Sequence, residues 1–126
     1  MWDPDRYLTY ADQRGRPFSD LLARIDIDDP AEVIDLGSGP GNLTITLAER
    51  WPEAHIVGVD SSSEMIAKAS EYVGIDWVEA DLLTWRPPRR ADVVISNAAL
   101  QWVPDHRAEM PRLAGFVAPG GWFAFQ

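Results

Sequence analysis

The 126-residue chain contains no cysteine. That excludes disulfides and thiolate metal sites within it and suits a reducing compartment. No apolar run approaches the roughly 18 residues of a membrane span. The opening Met1-Trp2-Asp3-Pro4-Asp5-Arg6 lacks the basic-then-apolar plan of a secretory leader. A cytoplasmic location with no membrane partner is therefore expected. Basic residues are scarce: 11 Lys and Arg stand against 20 Asp and Glu, for a net charge of −9. A field of that sign repels phosphate backbones, so nucleic acid is not expected as a partner. Repeats and low-complexity segments are also missing. What remains, 46% hydrophobic and 25% charged residues, is ordinary for one soluble domain with a real core.

The chain is organised around Val33-Ile34-Asp35-Leu36-Gly37-Ser38-Gly39-Pro40-Gly41-Asn42. An apolar strand pattern carrying one acid runs into three glycines, and Leu43, Leu47 and Trp51 then repeat every fourth residue on one helix face. Strand, glycine turn and helix let backbone approach a ligand without a side chain between them. A second apolar run, Ile56-Val57-Gly58-Val59, ends in Asp60, nineteen residues past Gly41. An acid at that strand tip, about 20 residues beyond a glycine loop, is placed to hold ribose hydroxyls. A nucleoside cofactor is expected. The dinucleotide fingerprint needs a glycine at position 42, where Asn42 stands instead.

Around this centre the chain alternates. Pro17 suits the first turn of a helix carrying Phe18, Leu21, Leu22 and Ile25 on one face. Leu43–Arg50 reads as a helix closed by Trp51-Pro52 and His55–Asp60 as a strand. Ser61 and Glu64 fit a capping box at the head of a helix through Met65, Ile66 and Ala69 toward Gly74. Ile75–Asp81 and Asp92–Ser96 read as third and fourth strands, and Asp105–Phe116 as a weaker helix with Pro111 inside it. Pro119-Gly120-Gly121 then turns into a fifth strand, Trp122–Phe125. The expectation is an α/β fold: a Rossmann-like, doubly wound, mostly parallel sheet with helices on both faces. Residues 1–30 form an N-terminal lid or helical segment and residues 31–126 the cofactor-binding core. The apolar last strand invites pairing with a second copy of the chain, as a homodimer.

The string D-L-G-S-G-P-G-N resembles motif I of the class I S-adenosylmethionine-dependent methyltransferases. W-D-P-D-R-Y-L, R-G-R-P-F, G-V-D-S-S-S-E-M and S-N-A-A-L-Q-W-V-P-D-H are together similar to one subgroup, the trans-aconitate methyltransferases. Family members continue past this point with further strands, so the resemblance implies a core truncated at its C-terminus. It also implies S-adenosyl-L-methionine as cofactor, with S-adenosyl-L-homocysteine as product. Asp35, Gly37 and Gly39 would line its methionine part, and Asp60 would accept the ribose hydroxyls. Ser61 and Met65 would flank the adenosine, Asp81 and the Leu82 backbone would meet the adenine amino group, and Asn97 would reach toward the sulfonium.

The implied reaction forms a methyl ester on a carboxylate of a small acid such as trans-aconitate. A carboxyl group with a pKa near ~4 is already ionised at neutral pH, so no catalytic acid or base is assigned; His106 reads as a surface or capping residue. Arg14 and Arg16 are the candidates to hold the acceptor's carboxylates, and Tyr7 and Trp102 could wall its pocket. Two other readings compete: a nicotinamide-dependent oxidoreductase module, and a non-catalytic fragment that self-associates.

Overall fold

The computed structural model describes residues 18–96 and 111–125. Five strands, β1 (Glu32–Leu36), β2 (His55–Asp60), β3 (Asp76–Glu79), β4 (Ala91–Ser96) and β5 (Val117–Phe125), form one sheet in the order β3-β2-β1-β4-β5. Every neighbouring pair is parallel. The chain winds outward from β1 through β2 to β3, then returns to the other side of β1 as β4. The β1/β4 boundary is therefore the topological switch point, and in such sheets ligands bind at the strands' carboxyl ends there.

The two faces are read directly from strand alternation. Val33, Ile56, Val93 and Ile95 pack on one face with Phe18, Leu21, Leu22 and Ile25 of the N-terminal helical stretch (residues 18–23 and the turn after it) and with Leu47 and Trp51. Ile34, Leu36, Val59 and Val94 pack on the other with Leu113 and Phe116. Leu47 lies on the short helix α1 (Ile45–Arg50); α2 (Ser63–Ala69) follows β2. The Arg50 guanidinium donates to the carbonyls of Leu22 and Ile25, and the Trp51 indole N–H donates to Ile27 O at 3.0 Å. Residues 18–27 are thereby tied to the helix that leaves the glycine loop. Among the described residues no helix is long and apolar enough to cross a membrane.

Several element boundaries differ from the sequence reading. The α2 cap is Ser62, not Ser61: Ser62 Oγ accepts the Met65 N–H at 3.2 Å. Asp60 Oδ1 accepts the Ser62 N–H at 2.9 Å, and this side-chain turn holds Ser61 outside the helix. α1 begins at Ile45 rather than Leu43, because Thr46 and Leu47 bond back only three residues, to Leu43 and Thr44. β5 starts at Val117, well before Trp122. Ala91 pairs with Val117 and Val93 with Trp122, so the Pro119-Gly120 turn (Gly120 φ +82°) loops out of the strand as a bulge. Residues 105–110 of the expected helix lie outside the described residues; 111–114 are helical.

Candidate functional site

The glycine loop leaves β1 with Gly37, Gly39 and Gly41 all at positive φ (+76°, +59° and +89°), a region closed to most side-chain-bearing residues. Its two ends do different work. A Cβ built on Gly41 would lie 2.7 Å from the Trp77 ring and 3.1 Å from both Ala69 and Tyr72. One on Gly39 would meet nothing within 4 Å. Gly41 is thus the packed side of the loop and Gly39 the open one. Trp77 reaches this place because its sheet neighbour is Gly58, whose Cβ would fall 2.5 Å from the same ring. The indole lies across the bare strand, with its N–H donated to Tyr72 O at 3.0 Å.

The loop is fastened to β2 at three points. Gly37 N–H and Ser38 N–H donate to Val59 O at 2.7 and 3.0 Å, and Gly39 N–H donates to Asp60 Oδ2 at 2.9 Å. Each oxygen of Asp60 therefore receives one backbone N–H, from Gly39 and Ser62. A carboxylate oxygen has two acceptor positions, so both can take a further hydroxyl.

Asp35, on the inward turn of β1, is 3% exposed. Thr44 stands at the cap of α1, but its side chain makes no bond to the helix and instead donates its hydroxyl to Asp35 Oδ2 at 2.7 Å. Burial is the main reason that the Asp35 carboxyl is pushed up to about 7; Thr44 opposes the rise and the nearby charge of Asp60 adds to it. At the switch point itself, Ser96 Oγ donates to Leu36 O at 3.1 Å and ties the end of β4 to the end of β1.

Beyond β3, Ala80 N–H donates to Asp60 O at 3.0 Å. Asp81 then folds a turn in which its Oδ1 accepts the Leu83 N–H at 2.8 Å. Of the residues singled out from sequence, Asp35, Gly37, Gly39, Asp60, Ser61, Met65, Asp81 and Leu82 stand at or just past the carboxyl ends of β1, β2 and β3. A direct hydrogen bond joins Gly39 to Asp60. Ser61 is exposed and Met65 half-buried. Asn97, Tyr7, Arg14, Arg16, Trp102 and His106 lie outside the described residues. Sequence reasoning missed Thr44, nine residues after Asp35, and Trp77, whose only signal is its register opposite Gly58.

A parallel sheet with this strand order, a glycine loop after β1 and an acid at the tip of β2 define a Rossmann-like, doubly wound fold. A family model described as "Methyltransferase domain" matches residues 33–121, and the chain belongs to that family. It is 52% identical over 126 residues to a protein of Rhodococcus jostii named trans-aconitate 2-methyltransferase, covering all of this chain and 49% of that one. It is 51% identical to one of the same name from Streptomyces avermitilis, covering 99% of this chain and 50% of the relative. The chain thus spans about half the length of these curated relatives. Among solved structures it is similar to a complex of DhpI with SAH at 30% identity and a TM-score of 0.77, covering 94% of this chain and 58% of that one.

Proposed function

We propose that this chain carries the cofactor-binding part of an S-adenosylmethionine-dependent carboxyl O-methyltransferase that esterifies a small acid such as trans-aconitate. The observation that carries the reading is the clip between Gly39 N–H and Asp60 Oδ2 at 2.9 Å. It holds the open side of the glycine loop beside a carboxylate with acceptor positions to spare, at the carboxyl ends of β1 and β2. The residues fit the cofactor: Gly39 leaves open space where a Cβ would stand, and Asp60 is an acceptor suited to vicinal hydroxyls. The names of the R. jostii and S. avermitilis relatives support trans-aconitate as the acceptor, and the SAH bound in the DhpI complex supports the cofactor.

On this reading Asp60 binds the ribose, Gly37 and Gly39 pass beside the methionine part, and Asp35, fixed by Thr44, orients it. Ser61, Met65, Asp81 and Leu82 enclose the adenosine, and Asn97, next in the sequence after β4, completes the site. Residues 1–30 form the N-terminal lid or helical segment, of which Phe18, Leu21, Leu22 and Ile25 pack into the core of residues 31–126. Arg14 and Arg16 hold the acceptor's carboxylates, with Tyr7 and Trp102 as walls. When bound, the cofactor's sulfonium would supply an electrophilic methyl group to a carboxylate oxygen of the acceptor, with the neutral thioether as leaving group. The acceptor is already an anion, so the protein's contribution is in-line placement in a dry site, worth roughly 7–11 kcal/mol when well arranged.

Calorimetric titration of the chain with S-adenosylhomocysteine and with NAD, together with a methyl-transfer assay on trans-aconitate, tests the proposal. Binding of the first and not the second is expected, and ester formation would place the whole reaction on this chain; NAD binding alone would overturn the proposal. The edge position of β5, with Trp122 and Phe125 37% and 45% exposed, favours a second reading in which two copies pair through this strand. Sedimentation across a concentration series decides it: a monomer throughout removes that reading.

A further inference from the structure

The turn after β3 is held from outside by a residue far along the chain. Arg112, on the helical residues 111–114, donates Nη1 to Trp85 O at 2.9 Å and Nη2 to Leu82 O. Its guanidinium stands 5.4 Å from the centre of the Phe116 ring. That ring meets the Trp85 indole edge-on, with centroids 6.0 Å apart and planes at 86°. The turn's own bonds run from Thr84 N–H and Trp85 N–H to Asp81 O at 3.1 and 2.9 Å, and from Leu83 N–H to Asp81 Oδ1 at 2.8 Å.

The important unit is the single peptide between Leu82 and Leu83. Its carbonyl is gripped by Arg112 and its N–H is donated to the Asp81 carboxylate. Because the peptide is planar, fixing the carbonyl fixes the direction of the N–H. The N–H in turn sets the rotation of the Asp81 carboxylate. A planar fork of donors can bond two carbonyls at once and stack on an aromatic face, which an ammonium on a flexible stem cannot reproduce.

We propose that Arg112 is a positioning residue for the nucleoside end of the site, aiming the Asp81 carboxylate through the Leu82–Leu83 peptide and so setting the preference for a base with an exocyclic amino group. This rests on the reading of Asp81 and Leu82 given above. A carboxylate accepts from an amino group and repels the carbonyl of a 6-oxo base, so the unaltered chain favours S-adenosylhomocysteine over S-inosylhomocysteine.

The test measures both affinities by calorimetry for the full chain and for Arg112→Lys and Arg112→Met, with amide hydrogen exchange at Leu83 and thermal melting of each. The expected result is faster exchange at Leu83 in both variants, near-unaltered melting, and about tenfold loss of discrimination between the two ligands. Discrimination retained in a folded variant overturns the assignment, and so does loss of folding in both, which would make Arg112 a purely structural residue. Failure of the unaltered chain to bind S-adenosylhomocysteine is seen before any substitution and overturns the functional reading itself.

Discussion

Asp35 and His55 sit at opposite ends of the sheet, and both make stability fall as pH rises, in different windows. The folded chain prefers Asp35 protonated, since burial raises its carboxyl from 3.8 to about 7. Its contribution is fully present below 3.8 and is lost as pH climbs through about 7. His55 bonds Asp76 at 2.5 Å and Glu32 at 2.7 Å. Pairing with Asp76 and then Glu32 raises it above 6.5, so its contribution is present below 6.5 and lost above, as pH passes the folded value. Urea denaturation at a series of pH values separates the two. Asp35→Asn, which mimics the protonated acid, should become progressively more stable than the unaltered chain between about pH 4 and 7, by up to roughly 4 kcal/mol. His55→Gln should remove only the decline above pH 6.5. A constant difference between Asp35→Asn and the unaltered chain would contradict the burial account. A residue of a different kind is Ser38, 8% exposed, whose hydroxyl has no hydrogen-bond partner among the described residues; a buried hydroxyl left in that state costs about 1–3 kcal/mol.

At the scale of elements, the glycine loop has one side open and one side filled, and the two glycines should respond differently to the same change. Gly39→Ala places a Cβ in open space, so its cost is the left-handed backbone alone, about 1–2 kcal/mol. Gly41→Ala carries the same backbone cost and drives a methyl into Trp77 and Ala69, adding about 1–3 kcal/mol of overpacking. Trp77→Leu in the same chain should recover part of that addition for Gly41→Ala and none for Gly39→Ala, as chemical denaturation of the three single and two double variants would reveal. Equal costs at the two glycines would mean that Trp77 does not buttress the loop. The loop and both acids were legible in the sequence because a glycine turn and a strand-tip acid are local patterns. The indole behind the loop was not, since its place depends on strand register across β2 and β3. The Ser61-to-Ser62 shift of the cap had a local cause: the side chain of Asp60 took the Ser62 N–H, a contest that serine spacing does not express.

At the scale of the molecule, the apolar runs and their regular spacing were enough to read a doubly wound parallel sheet. The long bulge of β5 was hidden, because Pro119-Gly120-Gly121 reads equally well as a turn before a strand and as a loop within one. The N-terminal helical stretch is part of the same packing as the sheet: Phe18 is 1% exposed and shares a core with Val33, Leu47 and Ile95. Phe18→Ala should therefore cost about 3–5 kcal/mol in denaturant unfolding; a loss below 1 kcal/mol would mean that this stretch is only draped on the core. At the carboxyl edge of β1 and β2 the loop is clipped to Asp60. The most direct measurement is calorimetric titration of the chain and of Asp60→Asn with S-adenosylhomocysteine. The account predicts binding by the unaltered chain that weakens by about ten- to a hundredfold in the variant, as expected for losing bonds to a charged acceptor. Equal affinities would contradict it.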